Sequence, residues 1–215
     1  MHHALALCVC LSVAAAPTRA CADDGSSEAL ERPEADFRHV SDYAWFALGA
    51  AAGFVGHELG HVMMDVVFGK SISFVRVDLG PIPFFAIQPC CKLTSRENYV
   101  IGSAGFVVGD VSSELILQIA PRLRSRRHAF LKGVLMFDIV LAAGYAVTGL
   151  AGIGPPQSDV NTMARGLGVP SWQVGLLLMV PAALDLYRYF VPRSAWAPWT
   201  SISGKTFLLG IGFAL

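Results

Sequence analysis

The segment His57-Glu58-Leu59-Gly60-His61 lies within an apolar run from Tyr43 to Phe68 and sets the interpretation of the whole chain. If this run is helical, His57 and His61 project from one face, at the spacing of two imidazole ligands of one zinc ion. Glu58 then lies beside them, where a carboxylate can take a proton from a zinc-bound water. The segment therefore predicts a zinc site with two histidine ligands and a catalytic base.

Composition indicates that this segment lies in a membrane. Hydrophobic residues make up 54% of the 215 residues, and charged residues only 15%. An ordinary soluble domain carries about 25% charged residues. The mean hydropathy is +0.53, and the formal net charge is zero. We therefore expect an integral, multi-pass membrane protein surrounded by a lipid bilayer, and nothing in the charge balance indicates binding to nucleic acid.

The first 42 residues do not resemble the membrane core. Residues 1–22 resemble a secretory signal peptide, with Ala20-Cys21-Ala22 as a small-residue cleavage site. His2 and His3 stand where Lys or Arg is typical, so an uncleaved N-terminal anchor is the alternative. Residues 23–42 are acidic and polar, which predicts an exposed tether.

Four apolar stretches are long enough to cross a bilayer as helices, which takes about 20 residues each. They are residues 43–68, 99–120, 130–150 and 172–190. Between the first two, residues 75–79 alternate apolar with charged side chains and are followed by a Gly-Pro turn, which predicts a hairpin. The predicted fold class is an all-α polytopic membrane protein with about four transmembrane helices and a small membrane-surface β-hairpin after the first. Residues 151–171 are predicted to be a loop, and residues 193–215 a C-terminal tail.

Small residues predict where these helices pack together. Gly49, Gly53, Gly56 and Gly60 line one face of the first span, and Gly105 and Gly109 repeat the spacing in the second. Such faces let two backbones approach closely inside a membrane. We also expect the carboxylates of the second span, Asp110 and Glu114, to face the interior of the bundle.

A third zinc ligand is needed, because catalytic zinc sites usually take three protein ligands and one water. No other histidine is well positioned, and Asp65 is too far along the same helix. Asp185 lies in the middle of the last span, one turn after Pro181, and is the best candidate. Three other carboxylates remain alternatives, each also suited to pairing with Lys132 or to an interhelical hydrogen bond: Asp110, Glu114 and Asp138.

Residues 57–61, with Gly69 eight residues further on, resemble the motif helix of the site-2 protease family of intramembrane zinc metalloproteases. Members pair this helix with a later one carrying a Leu-Asp-Gly type motif, and Leu184-Asp185 matches its first two positions. Residues 71–87 also look like the membrane-associated strands of that family. The resemblance implies a membrane-embedded metalloprotease domain over residues 43–192, with a three-helix catalytic core.

The resemblance also implies an activity. A zinc metalloendopeptidase with Zn²⁺ on His57, His61 and Asp185 would hydrolyse peptide bonds of membrane-anchored protein substrates, with Glu58 as the base. The family has a Gly-Pro-x-x-Asn type sequence where this chain has residues 105–109, and Gly where it has Leu186. These departures favour a second hypothesis, a catalytically inactive zinc-binding membrane scaffold or regulator (a pseudoprotease). A soluble secreted zinc protease is a third, which a need for detergent extraction would exclude.

Overall fold

A computed structural model describes residues 37, 39–79, 82–120, 122–125, 127–191, 196–203 and 206–213. Within these residues the fold is mostly helical. The helices are α1 (Val40–Val67), α2 (Ser95–Ile119), α3 (Ala129–Ala151), α4 (Asp159–Leu167) and α5 (Ser171–Phe190). The strands are β1 (Ile72–Leu79), β2 (Ile82–Pro89), β3 (Trp196–Ser203) and β4 (Thr206–Phe213). The predicted leader over 1–22 and most of the tether over 23–42 lie outside the described residues.

The helices begin and end where local chemistry satisfies their free backbone groups. Thr94 caps α2, since its hydroxyl accepts from the Glu97 amide at 3.2 Å while Glu97 accepts from the Thr94 amide at 2.7 Å. This cap starts α2 four residues before the predicted span. Gly152 ends α3 with a φ of 66°, a left-handed conformation that glycine adopts without strain.

Helix α3 is the central packing partner, with α1 on one side and α5 on the other, while α2 packs against α1 and α4. A Cβ added at Gly49 of α1 would lie 2.0 Å from the Phe130 carbonyl oxygen, and one added at Gly133 of α3 would lie 2.1 Å from the Phe46 carbonyl oxygen. The two backbones are therefore in contact, which confirms the small-residue face predicted for the first span.

Two of the four predicted membrane spans are helices with both the length and the hydropathy that crossing a membrane requires. Among the described residues, α2 and α3 are long and apolar enough to cross a membrane, and α4 with α5 would be a third span if this pair, bent by 116°, crosses as one. Helix α1 has 28 residues but does not qualify, because the four polar side chains of its second half lower its hydropathy. Four separate spans are thus not established.

The hairpin predicted after the first helix is present. Strands β1 and β2 pair antiparallel, with Val75 opposite Ala86. A second antiparallel hairpin, β3 with β4, lies in the predicted C-terminal tail, where strands were not expected. The fold is therefore mainly helical with two small hairpins rather than purely helical.

The region predicted to be a loop over 151–171 contains the short helix α4. Ser158 caps it by accepting a hydrogen bond from the Asn161 amide. Val160, Met163 and Ala164 are buried at helical spacing against the core formed with Phe106 and Val174. This burial, rather than the propensity of nine residues, stabilises the helix.

Candidate metal centre

Two histidines of α1 form the base of the candidate site. His57 and His61 are only 4% and 6% exposed, and their Nε2 atoms lie 3.1 Å apart. Each is one turn from the other on the helix face that packs against α2. The predicted i, i+4 pairing is therefore present in the geometry.

Asp159, the first residue of α4, completes the group. Its Oδ2 atom lies 3.3 Å from Nε2 of His57 and 3.5 Å from Nε2 of His61. These ligand atoms all lie within 4.8 Å of one another, and the group is the one set of three potential metal ligands found among the described residues. Three donors from two distant segments thus converge on a single point.

The spacing of the three donor atoms fits a tetrahedral zinc ion. Zinc binds imidazole nitrogen and carboxylate oxygen at about 2.0–2.1 Å, so two ligand atoms on a tetrahedron lie about 3.3 Å apart. The observed separations of 3.1, 3.3 and 3.5 Å bracket that value. Two histidines, one carboxylate and a position left for water form the donor set of a catalytic zinc site.

The tautomer of His61 also suits a metal ligand. Its Nδ1 atom donates to the Ile101 carbonyl at 2.7 Å, so the neutral ring has a lone pair on Nε2. In this tautomer, Nε2 of His61 and Oδ2 of Asp159 are both acceptors facing each other. The single proton that neutral His57 can supply on Nε2 does not satisfy both, whereas a cation between the three atoms does.

Neighbouring side chains hold this arrangement in place. Gly105 of α2 leaves room for the His57 ring, since a Cβ there would lie 2.5 Å from Cε1 of His57. The Phe106 ring packs edge-on against both His57 and Tyr145, with centroids 5.3 Å apart in each case. The Tyr145 side chain is close enough to Asp159 to interact electrostatically with its carboxylate. Helices α2 and α3 thus orient the ligands of α1 and α4.

Glu58 lies where the sequence predicts the base. Its half-buried carboxylate is close enough to interact electrostatically with His57, His61 and Asp159. A carboxylate within electrostatic reach of a metal-bound water is the type of group that takes a proton from it. Its environment is therefore compatible with the predicted role.

The structure does not bring Asp185 into this group. Asp185 lines a small cavity, about 10 Å³ and so large enough for about one water, together with His57, Asp110 and Asp138, but it is not one of the three residues whose ligand atoms converge. The physical reason is that Asp185 and His61 lie at different positions along the axis of the helix bundle. His61 contacts α2 at Ile101, while Asp185 lies beside Asp110, about 14 Å further along that helix at ~1.5 Å per residue. Asp159 takes the position expected of Asp185.

The other candidate carboxylates have partners of their own. Asp138 accepts hydrogen bonds from the hydroxyls of Ser112 at 2.5 Å and Ser113 at 3.3 Å. Glu114 forms an ion pair with Arg188 of α5. Asp110 lines the small cavity, so the interior positions predicted for the second-span carboxylates are observed. Asp138 and Glu114 thus connect neighbouring helices, and none of the three carboxylates belongs to the converging group of His57, His61 and Asp159.

Asp65 is buried next to the site without a hydrogen bond. It is 1% exposed, and neither carboxylate oxygen has a partner among the described residues. It lies one helical turn beyond His61 and does not line the small cavity. A carboxyl group in such a position is stable only when it is neutral or bound to a water.

A large cleft opens beside the metal centre. It has a volume of about 690 Å³ and reaches both His61 and Asp159. Its walls come from β1 and β2, from the start of α2 and from one face of α4. This volume lies within the range of clefts that bind small molecules or short peptide segments, about 300–1,000 Å³.

Asp159 is the candidate site residue that the sequence interpretation missed. Two signals point to it. Ser158 before it is a capping residue, and apolar residues follow at positions 160, 163, 164 and 167, which is helical spacing. No protein-family model, curated protein or solved structure matches this chain.

Proposed function

We propose that this protein is an integral membrane zinc metalloprotease that hydrolyses peptide bonds of membrane-associated proteins within or close to the bilayer. The observation that carries this proposal is the convergence of His57, His61 and Asp159, with Glu58 at its edge. Two histidines and a carboxylate with an adjacent glutamate are the groups that metal-assisted peptide hydrolysis requires.

The apolar helices around the site support the membrane setting of this proposal. Helices α2 and α3 are the candidate spans, and α1 packs against both. His61 is six residues before the end of α1, so it lies about 9 Å below that end at ~1.5 Å per residue. A bilayer core is about 30 Å thick, so the site lies within the membrane but nearer one surface. The cleft and the β1–β2 hairpin lie at that surface.

The residues divide into three roles. His57, His61 and Asp159 would hold the metal, which acidifies a bound water and polarises the scissile carbonyl. Glu58 accepts a proton from the water at its carboxylate and delivers it to the leaving amine. The cleft between the hairpin and α4 binds the substrate in an unwound form and limits the access of other water.

Proteolysis by purified full-length protein in detergent or nanodiscs tests the proposal. Single-pass membrane proteins serve as substrates, and the Glu58→Gln variant is compared with the wild type at equal zinc content. We expect the substitution to lower the cleavage rate roughly 10²- to 10⁴-fold, the usual contribution of a general base. Glu97→Gln is the matched control, because Glu97 pairs with Lys70 outside the site. We expect this substitution to leave the cleavage rate unchanged.

A different outcome would favour the scaffold hypothesis. Wild-type protein that binds about one zinc per chain but cleaves no substrate of the panel would contradict the proposed activity. The same conclusion follows if Glu58→Gln and wild type release equal amounts of product, because the cleavage would then come from a contaminant.

A further inference from the structure

The cleft beside the metal centre carries an unbalanced positive charge. Its lining includes one acidic side chain, Asp159, and two basic ones, Lys92 and Arg165. Asp159 is a metal ligand in the proposed function, so a bound divalent cation more than cancels its charge. The remaining lining is apolar or neutral, which leaves the two basic side chains to set the potential of the cleft.

Among the described residues, no carboxylate pairs with either basic side chain. Lys92 is exposed and forms no ion pair within the part of the chain that the structure describes. Arg165 is also exposed and donates to neutral acceptors, the Pro156 carbonyl and the Thr162 hydroxyl, the latter at 2.9 Å. By contrast, Lys70 nearby is paired with Glu97 at 2.9 Å. The cleft therefore has two cations available for a ligand.

The spacing along α4 relates these charges to the metal centre. Asp159, Thr162 and Arg165 are three residues apart in turn and all line the cleft, so they follow one face of the helix. Arg165 is six residues from Asp159, about 9 Å along the axis at ~1.5 Å per residue. An extended peptide covers that length in about three residues.

We propose that the cleft selects peptides carrying a carboxylate about three residues from the bond that is cleaved, and that Arg165 and Lys92 bind it. This inference rests on the proposed function, because it takes the cleft as the substrate site. A guanidinium already oriented by Pro156 and Thr162 binds a carboxylate with little further loss of side-chain freedom. The carboxylate is either a Glu or Asp side chain or the free carboxyl terminus of a substrate.

Peptide binding and cleavage by the full chain test the inference separately. The first peptide has blocked ends and carries Glu at each position three residues from the scissile bond. The second is identical except that Gln replaces each Glu. The third also carries Gln, but its free carboxyl terminus lies three residues from the scissile bond. Binding is measured by fluorescence anisotropy with the zinc-loaded Glu58→Gln variant, and cleavage with the active protein. We expect the Glu peptide to bind about tenfold more tightly than the Gln peptide, the effect of one charge-assisted contact.

Two substitutions and a control assign the preference to the cleft. We expect two substitutions, each made in the Glu58→Gln background, to reduce the difference in affinity between the Glu and Gln peptides to about twofold or less. They are Lys92→Gln and Arg165→Gln. Lys92 is exposed and forms no ion pair among the described residues, so we expect its substitution to leave the fold intact. Arg127→Gln is the control, because Arg127 is exposed at the other end of the bundle and should leave the preference unchanged.

The outcomes separate this inference from the proposed function. Cleavage by the active protein without any preference for Glu over Gln would overturn the inference and leave the protease intact. Preferential binding of a carboxylate peptide without cleavage would support the inference and contradict the protease. If the third peptide alone binds tightly, the source of the carboxylate is the chain terminus. If the peptides bind alike and Arg165→Gln instead weakens binding to phosphatidylglycerol vesicles, the two cations bind lipid, and the inference is wrong.

Discussion

His57 Nε2 lies 3.3 Å from Asp159 Oδ2, although the two residues are 102 positions apart in the chain. The contact joins the second half of α1 to the first residue of α4. Helices α2 and α3 lie between these two segments in the chain, and both helices pack against α1 and α4. Burying polar groups costs free energy unless a partner replaces their lost hydration. A metal ion bound to both groups, as proposed, would supply that partner.

Tyr145→Phe should weaken zinc binding while leaving the fold intact. The side chain of Tyr145 interacts with the carboxylate of Asp159, and removing the polar partner of a metal ligand typically costs about 10- to 100-fold in metal affinity. Competition with a chromogenic chelator measures the affinity. The matched control is Tyr99→Phe, a half-buried tyrosine packed on the same core, which should leave zinc affinity unchanged. Equal affinities in wild type and Tyr145→Phe would show that the Tyr145 hydroxyl does not support the site.

Gly105→Ala should displace the His57 ring. The added methyl group would lie 2.5 Å from Cε1 of His57, closer than real Cβ contacts occur, so the ring or α2 must move. We expect a loss of zinc affinity and a loss of stability of about 1–3 kcal/mol, the usual cost of overpacking. Thermal unfolding in detergent and chelator competition measure the two effects.

Gly144→Ala is the control for this substitution. Gly144 is also in the interior of a helix, but a Cβ there has no neighbour within 4 Å. The change should leave zinc affinity unaltered and stabilise α3 by up to about 1 kcal/mol. Retention of full zinc affinity in Gly105→Ala would mean that His57 is not packed against α2 as described.

Cysteine labelling should show α2 crossing the membrane. Cys91 precedes α2 and Arg127 follows it, so Cys91 and a cysteine introduced by Arg127→Cys should lie on opposite sides. The experiment uses a chain whose other cysteines are replaced by serine, in sealed vesicles with an impermeant maleimide. A cysteine introduced by Ile153→Cys, after α3, should label on the same side as Cys91. Labelling of all three positions from one side would contradict the two spans.

Much of the fold could be predicted from local patterns. The continuous apolar runs predicted α2, α3 and α5 to within a few residues, and the alternation around Val75 predicted the first hairpin. The glycines of the first span predicted a close approach of another helix, and α3 makes that approach at Gly49. These features depend on nearest neighbours in the sequence, which is why they can be inferred without a structure.

The third ligand could not be predicted in the same way. Asp159 follows two prolines in a region that matches a loop, and α4 owes its stability to burial against α2 and α3. Asp185 is also an acidic residue in an apolar helix, and only its level in the bundle separates it from the histidines. The position of Asp185 along the bundle axis depends on where each helix starts and on how the bent pair α4 and α5 is arranged. No local sequence pattern encodes either of these.

The metal content of three purified proteins tests the central claim most directly. The three proteins are the wild type, Asp159→Asn and Asp185→Asn. Each is loaded with zinc and dialysed, and its zinc content is measured by mass spectrometry. Thermal unfolding shows whether each variant is folded. We predict about one zinc per chain in the wild type and in Asp185→Asn, and less than about a tenth of that in Asp159→Asn. A folded Asp159→Asn variant that keeps its zinc, together with an Asp185→Asn variant that loses it, would contradict the site described for this protein.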